Sequence, residues 1–324
     1  MLFHPPKNPV ELKVLHLNKA QEQRREDLLE ATQGKAALKQ LKKTMAKKAK
    51  QALKTKNKRK NKNDSQQVFV LDFDGDIKAS AVKHLREEIS TLISTANAGD
   101  EVIIRLESPG GIVHGYGLAA AQLVRLKEAG LKLTICVDKV AASGGYMMAC
   151  VADKIVAAPF AVIGSIGVVS QLPNFHKWLK NHDVDYEQFT AGDYKRTVTV
   201  FGENDDEDRA KYQQELEQTH ELFKHFVNTY RSQLDLDKVA TGQHWYGEDA
   251  LKLKLVDKLQ TSDSYILELM ADNEVYALHS RQKPTLAEKL GLAQAAEATL
   301  NIAVDKLPEA LARLDFNNRF NILK

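Results

Sequence analysis

Residues 131–151 read LKLTICVDKVAASGGYMMACV, and the fold class follows from how this stretch is parsed. Residues 131–137 are apolar and rich in β-branched side chains, which predicts a short buried strand. Residues 146–151 (YMMACV) predict the start of an apolar helix. Between them, Val140-Ala141-Ala142-Ser143-Gly144-Gly145 sets a serine among small residues where strand turns into helix. The first amides of a helix have no intrahelical acceptor and favour developing negative charge. The glycines carry no Cβ, so a substrate backbone can come close. This is a setting for a nucleophilic serine. It is equally a setting for an ordinary helix cap, where Ser is a preferred residue.

A second unit of the same kind precedes it. Residues 101–106 (EVIIRL) predict an apolar strand that runs into Glu107-Ser108-Pro109-Gly110-Gly111-Ile112. Pro109 fixes one φ angle and removes a donor, while the two glycines permit a tight turn with exposed amides. A helix is predicted over 112–129, with Leu118, Gln122, Leu126 and Ala129 at helical spacing. In open α/β sheets, ligands collect at the C-terminal ends of strands, where both turns fall. One turn can then donate amides to an oxyanion while the other carries the nucleophile. Two plain connecting turns would carry the same pattern. Residues 68–73 predict a further strand and 81–97 a helix, so the body alternates strand and helix around a largely parallel sheet. A long charged helix is predicted over 213–230 and an amphipathic one over 284–314.

A serine hydroxyl needs a group to take its proton. His114 follows the 108–111 turn on a helix, and its expected place is surface or partly buried. His176 and His182 lie in a polar, Lys-rich stretch, and His220 and His225 fall on a charged helix whose expected role is a solvated face. None is persuasive as a base. Lysine is the alternative, since Ser–Lys pairs replace Ser–His on several unrelated folds. A free lysine is neutral only about once in 2,500 molecules at pH 7, so desolvation must bring its pKa toward roughly 7–8. Such a lysine should lie beside small or apolar residues rather than in a lysine-rich run, and Lys195, in Thr190-Ala191-Gly192-Asp193-Tyr194-Lys195 and ahead of Val198, Val200 and Phe201, is such a candidate, though most lysines are solvated.

These segments resemble peptidase family S49, the signal peptide peptidase family of serine peptidases. The matching stretches are RLESPGG at 105–111, DKVAASGGYMMACVADKI at 138–155, GSIGVV at 164–169, TAGDYKRT at 190–197 and HWYGEDAL at 244–251. The resemblance is dense from residue 68 to 270. It implies a ClpP/crotonase-like α/β fold of repeated ββα units with helical extensions. It implies Ser143 as nucleophile and Lys195 as general base, with the Gly111 and Gly144 amides as oxyanion hole and Ser165 orienting the lysine; a turn serine is the plain alternative for Ser165. It further implies a ring-like homo-oligomer in which Lys195 can serve a neighbour's Ser143. The implied substrates are hydrophobic, unfolded or leader-type peptides. A crotonase-like acyl-CoA enzyme and a non-catalytic membrane-surface scaffold are the rival readings.

Charge is distributed unevenly. The chain of 324 residues has a net charge of +3, but residues 35–63 hold thirteen Lys/Arg and no acid. The remainder has thirty-three bases against forty-three acids, a net of −10. A like-charged block of this length is a solvated linker or a surface drawn to anionic lipid. It holds no aromatic residue for stacking on bases, so specific nucleic-acid binding is not expected. The expected organisation is an N-terminal helical segment at 1–34, a Lys-rich linker at 35–63, a catalytic domain at 64–275 and an amphipathic helical extension at 276–324. No apolar run reaches the roughly eighteen to twenty residues that span a bilayer. The opening residues show no signal-peptide pattern. That departs from the resemblance, which implies an inner-membrane protein with its catalytic domain in the periplasm. Cys136 and Cys150, in the strand and helix that flank Ser143, read as buried free thiols. No metal, nucleotide or other cofactor is called for by any motif.

Overall fold

A computed structural model describes residues 10–56, 66–192 and 194–282. In chain order the elements are β1 (Val10–His16), α1 (Leu17–Lys56), β2 (Gln67–Asp74), α2 (Val82–Thr95), β3 (Glu101–Glu107), α3 (Val113–Glu128), β4 (Lys132–Val137), β5 (Val140–Ala142) and α4 (Gly144–Ala149). They continue as β6 (Lys154–Ala157), β7 (Val162–Gly164), α5 (His176–Lys180), α6 (Asp206–Tyr230), α7 (Leu236–Val239), β8 (His244–Tyr246), α8 (Gly247–Lys252), β9 (Lys258–Leu259), α9 (Ser262–Leu269) and β10 (Glu274–Gln282).

Seven strands form the main sheet in the order β1-β10-β2-β3-β4-β6-β9, and every pairing from β10 to β9 is parallel. A second sheet, β5-β7-β8, stands apart from it, with β5 and β7 parallel and β7 and β8 antiparallel. The chain therefore alternates between sheets: β4 lies in the large one and β5 in the small, β6 in the large and β7 in the small. This repeated strand-strand-helix course is the ClpP/crotonase-like fold expected from the sequence. Strands buried on both faces need continuous apolar runs, and β3 and β4 supply them in Val102, Ile103, Ile104, Leu133 and Ile135.

Helices α2 and α3 cover the sheet. The α2 stripe is Leu85, Ile89 and Leu92, all buried. On α3 the buried residues are Tyr116, Ala119, Ala120, Gln122, Leu123 and Leu126, while Leu118 is 42% exposed. Of the expected stripe, Gln122 and Leu126 are buried and Leu118 is not; Ala119, Ala120 and Leu123 widen the buried face instead.

Beyond a break at Gly34, whose φ of 79° interrupts helical geometry, residues 35–56 are helical. The rest of the Lys-rich block and the amphipathic pattern expected over 284–314 lie outside the described residues. Lys13–His279 forms one compact unit. Residues 10–12 and 280–282 belong to a second, within which Arg281 pairs with Glu11 at 3.1 Å. No helix among the described residues is long and apolar enough to cross a membrane.

Candidate active site

Ser143 occupies the single residue between β5 and α4. Its backbone has φ 51° and ψ −119°, a conformation that glycine adopts freely and a serine does not. Such a residue costs about 1–3 kcal/mol and persists only where its surroundings over-determine it. Here they do. The Ser143 amide donates to the Gly164 carbonyl at 2.8 Å, and its own carbonyl accepts from Met147 at 2.9 Å. The preceding residue is tied to the other glycine turn, with Ala142 N–H donating to Ser108 O at 3.0 Å and Ser108 N–H to Val140 O at 2.8 Å. Ser143 lines a cavity of about 1030 Å³.

Gly110 has φ 90°, and a Cβ there would stand 2.8 Å from both the Gly144 nitrogen and the Ser143 Cβ. The turn is thus pressed against the serine elbow at a point no side chain can occupy. On its far side Gly111 abuts Ile77, whose carbonyl accepts from Ile112 N–H at 2.8 Å. Among the described residues, the Gly111 and Gly144 amides have no protein acceptor. Both glycines line the same cavity as Ser143.

Ser165 also lines the cavity, at a left-handed φ of 52° directly after Gly164 at φ 100°. Its amide donates to the Gln243 carbonyl at 2.8 Å. The Ser143–Gly164 hydrogen bond makes the two serine turns adjacent across the small sheet. Ile112, Val113, Met147, Val168, Phe223 and Phe226 give the cavity its apolar walls, and no carboxylate is among its lining residues.

The structure therefore brings Ser143, Gly111, Gly144 and Ser165 together. Lys195 stands elsewhere: it is exposed, in a turn where its amide donates to Gly192 O at 3.1 Å, and it does not line the cavity. Along the chain between β7 and α6, which carries Lys195, several large apolar side chains are exposed, Val169 at 81%, Trp178 at 57% and Phe189 at 89%.

His220 differs from its expected place on a solvated face. It lines the cavity, half-buried, with its Nε2 3.1 Å from the Ile166 carbonyl, to which it donates. The signal was present in the sequence: His220, Phe223 and Val227 share one face of α6, and the last two are buried. His114, His182 and His225 are exposed. Cys136 and Cys150 are free and buried, as expected. Burial pushes both thiols up, that of Cys136 to about 12, which disfavours the reactive thiolate at each.

Comparison with known proteins shows the family. The sequence model of Peptidase family S49 matches residues 125–276, and that of the Peptidase family S49 N-terminal region matches residues 4–123. A probable protease SohB of Haemophilus influenzae is 61% identical over 235 residues, covering 72% of this chain and 66% of that protein. A second probable protease SohB, from Buchnera aphidicola, is 56% identical over 211 residues, covering 65% of this chain and 63% of its own length. The chain thus spans just under two thirds of the length of these relatives. Among solved structures, the 1510-N membrane-bound stomatin-specific protease, a mutant in complex with a substrate peptide, aligns with TM-score 0.42 at 15% identity over 70% of this chain and 96% of that one. With both S49 sequence models matched in order along the chain and relatives this similar, the protein belongs to peptidase family S49.

Proposed function

We propose that this chain is a serine endopeptidase whose nucleophile is Ser143 and whose general base is Lys195. The observation that carries the reading is the strained Ser143 at the edge of an apolar cavity, flanked by the unpartnered amides of Gly111 and Gly144. Neutral Lys195 takes the Ser143 proton as the hydroxyl oxygen attacks a peptide carbonyl. The two amides hold the oxyanion, and the protonated lysine gives its proton to the leaving amine. Water then repeats the cycle on the acyl-enzyme, releasing the acid and regenerating Ser143. Ser165 orients the lysine.

The exposed position of Lys195 fits this mechanism if the lysine reaches the cavity of a neighbouring copy in a ring-like homo-oligomer. The exposed apolar residues on the segment that carries it, Trp178 and Phe189 among them, support that arrangement, because exposed apolar surface marks association sites. The apolar walls suit hydrophobic, unfolded or leader-type peptides. The family relation supports attachment to the inner membrane with the catalytic domain in the periplasm, and the basic residues 35–62 suit an anionic membrane surface. An acyl-CoA enzyme is disfavoured by the absence of a carboxylate among the cavity's lining residues, and a scaffold by the strain retained at Ser143.

A fluorophosphonate probe tests the chemistry directly. The wild-type protein should carry the adduct at Ser143 by mass spectrometry, and Lys195→Ala should reduce labelling to background. Lys195→Arg should also be inactive, because a guanidinium stays charged and cannot accept the proton. Mixing Ser143→Ala with Lys195→Ala copies should restore part of the activity. An unlabelled, folded and oligomeric wild type overturns the reading; activity in Lys195→Arg removes lysine from it.

A further inference from the structure

Beneath the two free amides lies a buried polar chain that the mechanism does not use. Ser108 and Tyr116 are both fully buried. The Tyr116 hydroxyl donates to the Asp76 carbonyl at 2.8 Å and lies 2.5 Å from Ser108 Oγ, which in turn accepts from Gly110 N–H at 3.1 Å. Only one order of protons satisfies every member. Gly110 N–H donates to Ser108 Oγ, Ser108 O–H to the Tyr116 oxygen, and Tyr116 O–H to the backbone. The chain engages the Gly110 amide inward, while the next amide along, Gly111, stays unpartnered. The same tyrosine meets the other donor through its ring: a Cβ on Gly144 would stand 2.7 Å from Tyr116 Cδ2. Gly75, at the end of β2, completes the enclosure. A Cβ there would fall 2.5 Å from Ser108 Oγ and 2.6 Å from the Tyr116 oxygen, so only glycine leaves room for that hydrogen bond.

We propose that Tyr116, through Ser108 and through its ring, is the positioning residue that sets the Gly111 and Gly144 amides at the spacing an oxyanion requires. The proposal rests on the reading of those amides as the oxyanion hole. A phenylalanine would fill the same volume and keep the packing on Gly144, so a purely structural tyrosine has no need of its hydroxyl. The hydroxyl instead ties the 108–111 turn to α3 and to Asp76 in the segment after β2. A fully satisfied buried chain of this kind defines one geometry. Misplacing a catalytic group by about 1 Å costs on the order of 100-fold in rate.

The experiment compares full-length wild type, Tyr116→Phe, Ser108→Ala and the double variant in cleavage of an unstructured peptide, in fluorophosphonate labelling and in thermal unfolding. For Tyr116→Phe, kcat should fall about 10- to 100-fold with KM within about twofold, and labelling should slow by the same factor. The double variant should lose little more than either single one, because both break one chain. Equal kcat in wild type and Tyr116→Phe overturns the proposal, as does a loss confined to unfolding temperature. A wild type that neither cleaves nor labels overturns the peptidase reading itself and is told apart from both.

Discussion

Ser143→Ala is expected to lower peptide cleavage by at least about 10⁴-fold with folding and assembly unchanged, the scale on which a serine peptidase responds to loss of its nucleophile. The alanine keeps the backbone at φ 51° and ψ −119° and so keeps the strain, while removing the Ser143 hydroxyl. Ser143→Gly separates the two properties. It is equally inactive, but glycine adopts this conformation without penalty. Relief of about 1–3 kcal/mol, less about 0.4–1 kcal/mol for the looser unfolded chain, leaves it about 1 kcal/mol more stable than Ser143→Ala. Chemical denaturation of the two variants side by side checks this. A glycine variant less stable than the alanine one would mean that the elbow holds no strain.

The second large effect is on stability. Arg231, at the end of α6, is 4% exposed in its side chain, and it makes a paired contact with Asp257: Nη1 to Oδ2 and Nη2 to Oδ1, both 2.9 Å. Nη2 also donates to the Lys254 carbonyl at 2.6 Å, and Asp257 Oδ2 accepts from Ile155 N–H at 2.7 Å. The pair therefore joins α6, the turn before β9 and the start of β6. Asp257→Ala leaves a buried guanidinium without its counter-charge, which costs about 3–5 kcal/mol. At about 2–4 °C per kcal/mol for a body of this size, the melting temperature should fall by roughly 6–20 °C. Replacing both residues with leucine should cost much less, because it removes both charges at once. If Asp257→Ala melts within 2 °C of wild type, α6 is held by its apolar face alone. Cavity residues on α6 would loosen with it, so activity should decline at temperatures below the melt.

The catalytic half of the fold was readable because two of its units are long and regular. Residues 101–106 and 131–137 are apolar runs that each enter a glycine turn, and they became β3 and β4 within a residue of expectation. The small sheet was not readable, because β5, β7 and β8 have three residues each and show no period of their own. Ser143, Gly111 and Gly144 lie in turns marked by glycine, where composition shows a need for close backbone approach. His220 and Tyr116 lie inside helices, where a polar tip on a buried face resembles any partly apolar position. On α3 the expected Gln122 and Leu126 are buried but Leu118 is not, while Ala119 and Ala120, which carry little hydrophobic weight in a sequence, are fully buried. Lys195 was selected by resemblance, and no local pattern says which cavity it serves.

The place of β10 bears on how the molecule is made. It pairs with β2 from Glu274↔Gln67 to Ala277↔Val70, so the strand that completes this side of β2 is translated roughly 200 residues after it. At about 5–20 residues per second, a ribosome needs some 10–40 s to deliver it. Through that interval β2 presents an open edge carrying Val68, Val70 and Leu71. Nascent chains halted before residue 274 should therefore be the species that chaperones retain, and those that reach residue 282 should be released.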